Sequence, residues 1–378
     1  MGVIAGNADQ VQVMRQGEVV ERGAVDDIFY RPREDYTRML LAAMPRLDDA
    51  AEPATTPGGS ILDVEDVKVF FPVKSGLFAP VQLLRAVDGI SFGLRAGETM
   101  GVVGESGCGK STLARAVLRL LPADAGTVMW LGRDLTRKRQ AEIRSARKDF
   151  QIVFQDPLAS LDPRMPIGVS IAEPLRSLEP GLSRTALRAR VASMMARVGL
   201  DPLWINRYPH ELSGGQNQRV GIARAMILNP KMLVCDEAVS ALDVSIQAQI
   251  MDLIRSLQAE SGMAMIFISH DLAVVRQLSH RVMVLYLGRV VELAAADALY
   301  GDPRHPYTRA LLSAVPVPDP RAERRRKRAL LAGEMPSPLD SRAALAFLKS
   351  RRIDDPKAVQ YRPKLIEVAP GHLVAEHD

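Results

Sequence analysis

Nine consecutive residues constrain the fold more than any others in this chain: Gly104-Glu105-Ser106-Gly107-Cys108-Gly109-Lys110-Ser111-Thr112. Their pattern, G-x-x-x-x-G-K-[ST], is that of a loop that cradles phosphates between a strand and a helix. A triphosphate carries several negative charges, and backbone N–H groups are the donors that can surround it most closely. Gly104, Gly107 and Gly109 permit that approach and the tight turn it needs, because they carry no side chain. Lys110 is expected to reach the β- and γ-phosphates, and Ser111 to offer a hydroxyl to Mg²⁺. Cys108 and Thr112 complete the expected nucleotide contacts. The flanks agree: Thr99 to Val103 reads as a short apolar strand, and Thr112 to Leu118 as a helix whose N-terminus faces the phosphates. The bland alternative is a glycine-rich turn beside a chance lysine, and the ordered flanks weigh against it.

The 378 residues give room for two or more domains. A hydrophobic fraction of 47% and a charged fraction of 25% are those of an ordinary globular protein. The net charge of +5 and a pI near 9.3 suit an anionic ligand or membrane surface without proving either. Only Cys108 and Cys235 are present, which argues against a disulfide framework or a cysteine metal site and for a reducing compartment. No run of eighteen apolar residues occurs, and the first residues show no secretory pattern.

An ungapped internal repeat marks the first fifty residues. Val13 to Glu21 resembles Val284 to Glu292, an offset of 284 − 13 = 271. The same offset carries Pro32-Arg33 onto Pro303-Arg304, Tyr36-Thr37-Arg38 onto Tyr307-Thr308-Arg309, and Pro45 onto Pro316. It occurs only twice and far apart, so it is not a solenoid; it reads as the tail of one domain followed by a whole second copy. Asp48 to Gly59 is small, acidic and Pro/Gly-rich, as a linker would be.

From Ser60 the chain turns β-rich, with strand candidates at Ile61 to Val64 and Val67 to Phe71, where Pro72 is expected to end the ladder. Arg133 to Arg147 is charged and reads as an exposed helical stretch. Phe150 to Phe154, Lys231 to Cys235 and Ala264 to Ile268 are buried-type strands, with a helix over Val244 to Gln258. Strands alternating with helices predict a parallel α/β core. Residues 157–227 lose strand character and read as a separate helical lobe. Arg321 to Arg328 is a basic run best taken as a solvated face, and the Pro-rich tail beyond Gly333 yields no chemistry.

Two further motifs carry chemistry. The strand ending at Cys235 delivers Asp236 and Glu237, placed to hold Mg²⁺ and to polarise an attacking water. Ser213, Gly214, Gly215 and Gln216 open a helix with exposed backbone donors and a hydroxyl, a second phosphate-binding end. Two such ends on different lobes suggest that two copies meet across nucleotide.

With these residues in view, the chain resembles the nucleotide-binding subunits of ATP-binding-cassette transporters. GESGCGKST matches their Walker A loop, VFQDP the Q-loop, LSGGQ the signature, MLVCDE Walker B, Ser240-Ala241-Leu242-Asp243 the D-loop, and His270 in FISHD the switch histidine. The resemblance implies a P-loop NTPase (RecA-like) α/β core with a β-rich N-terminal subdomain, an inserted helical subdomain and a C-terminal extension. It implies catalytic roles for Glu237, His270 and Gln155, with Gln155 also near the metal. It implies that Phe71 stacks on adenine, and that Ser213, Gly214, Gly215 and Gln216 grip ATP on an opposing subunit. FQDPLASLDPRM and HPYTRALL are similar to the oligopeptide and dipeptide importer branch, including tandem glutathione-importer-like chains. Residues 1–47 then read as the remnant of a preceding cassette, 48–59 as linker, 60–300 as the cassette, and 301–378 as the importer-type extension.

The implied partners are two transmembrane permease subunits, a second cassette or a homodimer partner, and a periplasmic or extracellular solute-binding protein, with no nucleic acid. The implied place is the cytoplasmic face of the cell membrane. The alternatives are a cassette ATPase acting away from membranes, on ribosomes or DNA, and a silent fragment of a tandem ATPase. Two departures stand out: no cysteine cluster occurs at Ser341 to Pro356, and Asn217 follows the signature where arginine or glutamine is usual.

Overall fold

The strand that feeds the phosphate loop, Thr99–Val103, lies inside an eight-stranded sheet. A computed structural model describes residues 2–49, 55–74, 81–240, 242–326, 337, 339, 347, 348 and 362–377. The sheet runs in the order Leu365–Ala369, His372–Ala375, Arg289–Ala295, Arg281–Tyr286, Thr99–Val103, Ala264–Ile268, Met232–Asp236, Phe150–Val153. The last five strands are parallel, and the first three join by antiparallel pairing. Every residue of Thr99–Val103, Met232–Asp236 and Ala264–Ile268 is buried. That is why these strands read as continuous apolar runs: parallel strands are covered on both faces.

A four-stranded antiparallel sheet, in the order Gln82–Arg95, Ser60–Val73, Ala125–Trp130, Arg133–Asp134, forms the β-rich subdomain. The two strand candidates near residue 65 are one bulged strand, Ser60–Val73. Pro72 does not end the ladder; it pairs with Leu83. The neighbour on the other side, Ala125–Trp130, reaches only Lys68, so Pro72 lies on an open edge where a missing N–H costs nothing.

Arg133 to Arg147 is also different from its expectation. It holds a two-residue strand, a single helical turn at Gln140–Ile143 and a 3₁₀ turn at Ala146–Lys148. Among its described side chains only Leu135 and Ile143 are buried, too few apolar positions to repay helix nucleation.

One apolar core lies between the large sheet and the helical lobe, whose helices Ile167–Leu178, Arg184–Arg197 and Gly214–Met226 interlock through Ile171, Leu175, Met195 and Val220. The other lies between the two sheets and takes in the phosphate-loop helix Lys110–Val117 through Leu113, Ala114 and Val117.

The internal repeat is a repeat of structure, residue for residue. Strands Gln10–Arg15 and Glu18–Ala24 sit at the 271-residue offset from Arg281–Tyr286 and Arg289–Ala295, and helix Val25–Tyr30 from Ala296–Gly301. Both hairpins slip register at the same place, Val13/Met14 and Val284/Leu285. The first copy closes on its own small core of Val11, Val13, Val25 and Ile28. It also rests on the helix Pro320–Arg325, where the Tyr30 hydroxyl donates to Asp319 at 2.7 Å and the Arg321 guanidinium covers the Tyr30 ring.

The described ends of the Pro/Gly-rich stretch are held against the second domain. Arg276 Nε donates to the Asp49 carbonyl at 2.7 Å, and Gly58 N–H to Ala96 O at 2.8 Å. Residues 50–54, 327–336 and most of the cysteine-free stretch 341–356 lie outside the described residues, as does Ala241.

Candidate active site

Four neighbouring parallel strands deliver four functional segments to one edge of the large sheet. Thr99–Val103 runs into the phosphate loop, Phe150–Val153 into Gln155, Met232–Asp236 into Glu237, and Ala264–Ile268 into His270. Open α/β sheets bind ligands there, beyond the carboxyl ends of their strands.

In the loop, Gly109 has φ +106°, and a Cβ on it would stand 2.0 Å from Ala86 O, so no other residue fits. Gly107, at φ +80°, has open space on its Cβ side. Lys110 is buried and donates to the carbonyls of Gly104 and Glu105 at 2.8 and 2.9 Å. Burial pushes the Glu105 carboxyl above its usual range, against the pull of Lys110. The Cys108 thiol is likewise raised by burial, and Cys235 is pushed up to about 12, so neither is a nucleophile near neutrality.

Ser111 opens the loop helix with its hydroxyl donating to Asp236 Oδ1 at 2.7 Å. Asp236 is buried, and desolvation raises its pKa against that hydrogen bond. A carboxylate so placed favours a cation beside it.

Beyond it the chain turns sharply. Glu237 adopts φ +51°, uncommon for a residue with a side chain, and its N–H bonds to Ile268 O at 3.0 Å. The Glu237 Oε2 then accepts from Gln155 Nε2 at 2.9 Å and lies 3.5 Å from His270 Nδ1. The structure therefore brings together Lys110, Ser111, Asp236, Glu237, Gln155 and His270.

Phe71 is half-buried and packs against the core between the sheets, opposite Leu84 in the ladder. The signature residues stand apart. Ser213 caps the helix Gly214–Met226, its hydroxyl accepting from Gln216 N–H at 3.3 Å while Gln216 Oε1 accepts from Ser213 N–H at 2.9 Å. Gly215 is pressed against Ile246, where a Cβ would stand 2.5 Å away. Among the described residues no hydrogen bond joins Ser213, Gly214, Gly215 or Gln216 to the phosphate loop.

Comparison with known proteins agrees with this geometry. The sequence profile of the family described as "ABC transporter" matches residues 87–240. The oligopeptide transport ATP-binding protein OppF of Salmonella typhimurium is 56% identical, over 81% of this chain and 92% of that one. The chain belongs to the ABC transporter family.

The chain matches a second profile, "Oligopeptide/dipeptide transporter, C-terminal region", twice, at residues 20–69 and 291–349. Those two starts differ by 291 − 20 = 271, the offset of the internal repeat. The glutathione import ATP-binding protein GsiA of Salmonella typhimurium is 46% identical over 99% of this chain, which spans 62% of the length of that protein. Among solved structures, the ATP-binding cassette MJ0796, a dimer in a post-hydrolysis state bound to ADP and Pi, matches with a TM-score of 0.57 and 26% identity. It covers 62% of this chain and 99% of its own. As a member of this family the cassette binds nucleotide and hydrolyses ATP.

The structure also gives places to residues to which the sequence assigned no role. Asn217 is buried, and its amide donates to Pro209 O at 2.9 Å and Leu212 O at 3.3 Å, pinning the turn that precedes the signature. Asp88 is buried beside Arg289, which donates to it at 2.6 Å, and beside Arg362 at 3.5 Å. The Asp88 partners are distant in sequence, and a motif reading has no signal for them, whereas those of Asn217 are local.

Proposed function

We propose that this chain powers the import of peptides or related small solutes, hydrolysing ATP at a site shared between two cassettes on a pair of membrane subunits. One observation carries the reading: Gln155 and His270 converge on one oxygen of Glu237, next to the Ser111–Asp236 pair. Glu237 takes the proton from the attacking water. Gln155 and His270 hold its carboxylate, and His270 faces the γ-phosphate. Lys110 serves the β- and γ-phosphates, and Phe71 stacks on adenine.

Mg²⁺ suits the donors present. Ser111 Oγ and Asp236 Oδ1 are hard oxygen groups already 2.7 Å apart, and burial penalises the charge of that carboxylate. Ser111, Gln155 and Asp236 would hold the ion, directly or through water, and it would neutralise charge developing on the transferred phosphoryl group. No cluster of three His, Cys, Asp or Glu occurs among the described residues, which fits an ion that takes its remaining ligands from phosphates and water.

Ser213, Gly214 and Gly215 make no hydrogen bond to their own phosphate loop among the described residues, and they grip the ATP of an opposing cassette, either a second copy or a separate chain. Residues 1–47 read as the trailing part of a preceding cassette, and a solute-binding protein on the far side of the membrane supplies the substrate. No helix among the described residues is long and apolar enough to cross a membrane, in keeping with a peripheral subunit on the cytoplasmic face.

Co-expression with two permease subunits, followed by reconstitution into vesicles, tests the reading. ATP hydrolysis should rise when a binding protein loaded with peptide is added. Hydrolysis indifferent to the membrane subunits, or stimulated instead by ribosomes or DNA, would overturn it.

A further inference from the structure

We infer that Tyr307, in the extension helix Pro306–Ala314, is a positioning residue for nucleotide: its hydroxyl clamps the peptide plane that opens the phosphate loop. The inference rests on the ATP site proposed above and adds to it a residue from outside the nucleotide motifs. Glu105 N–H donates to Tyr307 Oη at 3.1 Å, across 202 residues of sequence. The same peptide unit carries Gly104 O, which accepts from Lys110 Nζ at 2.8 Å. One plane is thus gripped from both sides, by a lysine and by a tyrosine.

The two grips differ in permanence. Once ATP is bound, the three donors of Lys110 are shared between phosphates and loop carbonyls. Tyr307 has no such alternative. Its ring is fully buried, with its centroid 4.7 Å from that of Tyr286. Its own N–H donates to His305 Nδ1 at 3.1 Å, and His305 N–H donates to buried Glu292, which also takes His372 Nε2 at 2.8 Å. The hydroxyl is therefore held by a buried scaffold and does not depend on how the lysine divides its donors. Losing it loosens the hold on that plane when the lysine is drawn toward the phosphates.

The repeat supplies an internal control. Tyr36 stands at the position matching Tyr307, but its ring lies under the Arg15 guanidinium, 5.1 Å from the centroid, and no phosphate loop is described near it. Tyr307→Phe, Tyr36→Phe and Lys110→Ala are made in the full chain, and affinity for Mg²⁺-ATP is measured with KM and kcat. Loss of one neutral hydrogen bond predicts a roughly 2- to 10-fold rise in Kd and KM for Tyr307→Phe. Its kcat should be near the parent's, and its nucleotide-free melting midpoint little moved, because the ring stays packed. Tyr36→Phe should change neither constant.

Parent-like affinity in Tyr307→Phe, an equal shift in Tyr36→Phe, or a fall confined to kcat overturns the assignment. Should Tyr307→Phe fail to fold, hydrogen exchange in the parent decides instead: a protected Glu105 amide supports the clamp, and one exchanging as fast as an open loop defeats it. Lys110→Ala separates the two levels. If it leaves ATP affinity untouched, the site reading itself falls, whereas a loss there beside an unaffected Tyr307→Phe removes only the clamp.

Discussion

Glu21 and Glu292 each hold two backbone N–H groups, those of Arg33 and Glu34 in one case and of Arg304 and His305 in the other. Twelve and thirteen residues separate acceptor from donor in both. Arg38 Nε reaches Pro32 O just as Arg309 Nε reaches Pro303 O. Yet the strand Arg289–Ala295 is buried along most of its length, while Glu18–Ala24 is exposed along most of its own. The second hairpin is flanked by Thr99–Val103 on one side and His372–Ala375 on the other; the first pairs only with itself. The lesson is that this unit's skeleton is local, set by its glutamate, proline and glycine, whereas its stability contribution and its reach to nucleotide come from what surrounds it.

The largest effect tests where the chemistry lies. Glu237, close upstream of the second copy, should govern turnover, and Glu237→Gln removes the base while keeping shape. Hydrolysis should fall by roughly 10²- to 10⁴-fold with ATP binding retained. Parent-like hydrolysis in the assembled transporter would show that the site's base lies elsewhere.

Matched substitutions then measure how much the surroundings add. Glu292→Gln leaves buried donors and His372 facing a weaker acceptor, a loss of about 1.5–3 kcal/mol for a charged hydrogen-bond partner. Glu21→Gln, nearer water, should cost about 1 kcal/mol or less. Equal shifts in urea midpoint would mean that burial does not distinguish the copies.

Glycine gives a second matched pair. Gly17 and Gly288 both have positive φ, +86° and +80°. A Cβ on Gly17 meets nothing within 4 Å, but on Gly288 it would stand 2.5 Å from Arg85 O. Gly17→Ala should therefore cost only the backbone term, about 1–2 kcal/mol, and Gly288→Ala visibly more, read as a difference in melting midpoint. Equal costs would place all the strain in the backbone.

The smallest effect is an expected absence. Deleting residues 1–56 should lower the melting midpoint, because Asp49 and Thr55 hold Arg276 and His280. Affinity for ATP should stay put, since none of the proposed ligands lies in that segment. A clear loss of affinity would show that the first copy shapes the site, by way of the cleft of about 460 Å³ that Val3, Met44 and Pro45 share with His270.

What the sequence determined by itself was everything written in neighbouring residues. The phosphate loop needs glycines and a lysine in a row, and Gly109 has no room for anything else. The signature's capping box closes between Ser213 and Gln216, three residues apart. The repeat was legible to the residue because bulge, turn and glutamate hook are all short-range.

The tertiary structure alone decided which of these segments meet. Ser111 finds Asp236 across 125 residues, Gln155 finds Glu237 across 82, and Tyr307 finds Glu105 across 202. It also decided that Pro72 remains in a ladder, because that depends on how far the neighbouring strand extends. Only that structure gave Asn217 its place under the signature turn. Backbone chemistry is fixed by adjacent residues, whereas a side chain's partner is fixed by how strands stack into a sheet, and that order is not written in any one stretch of the chain.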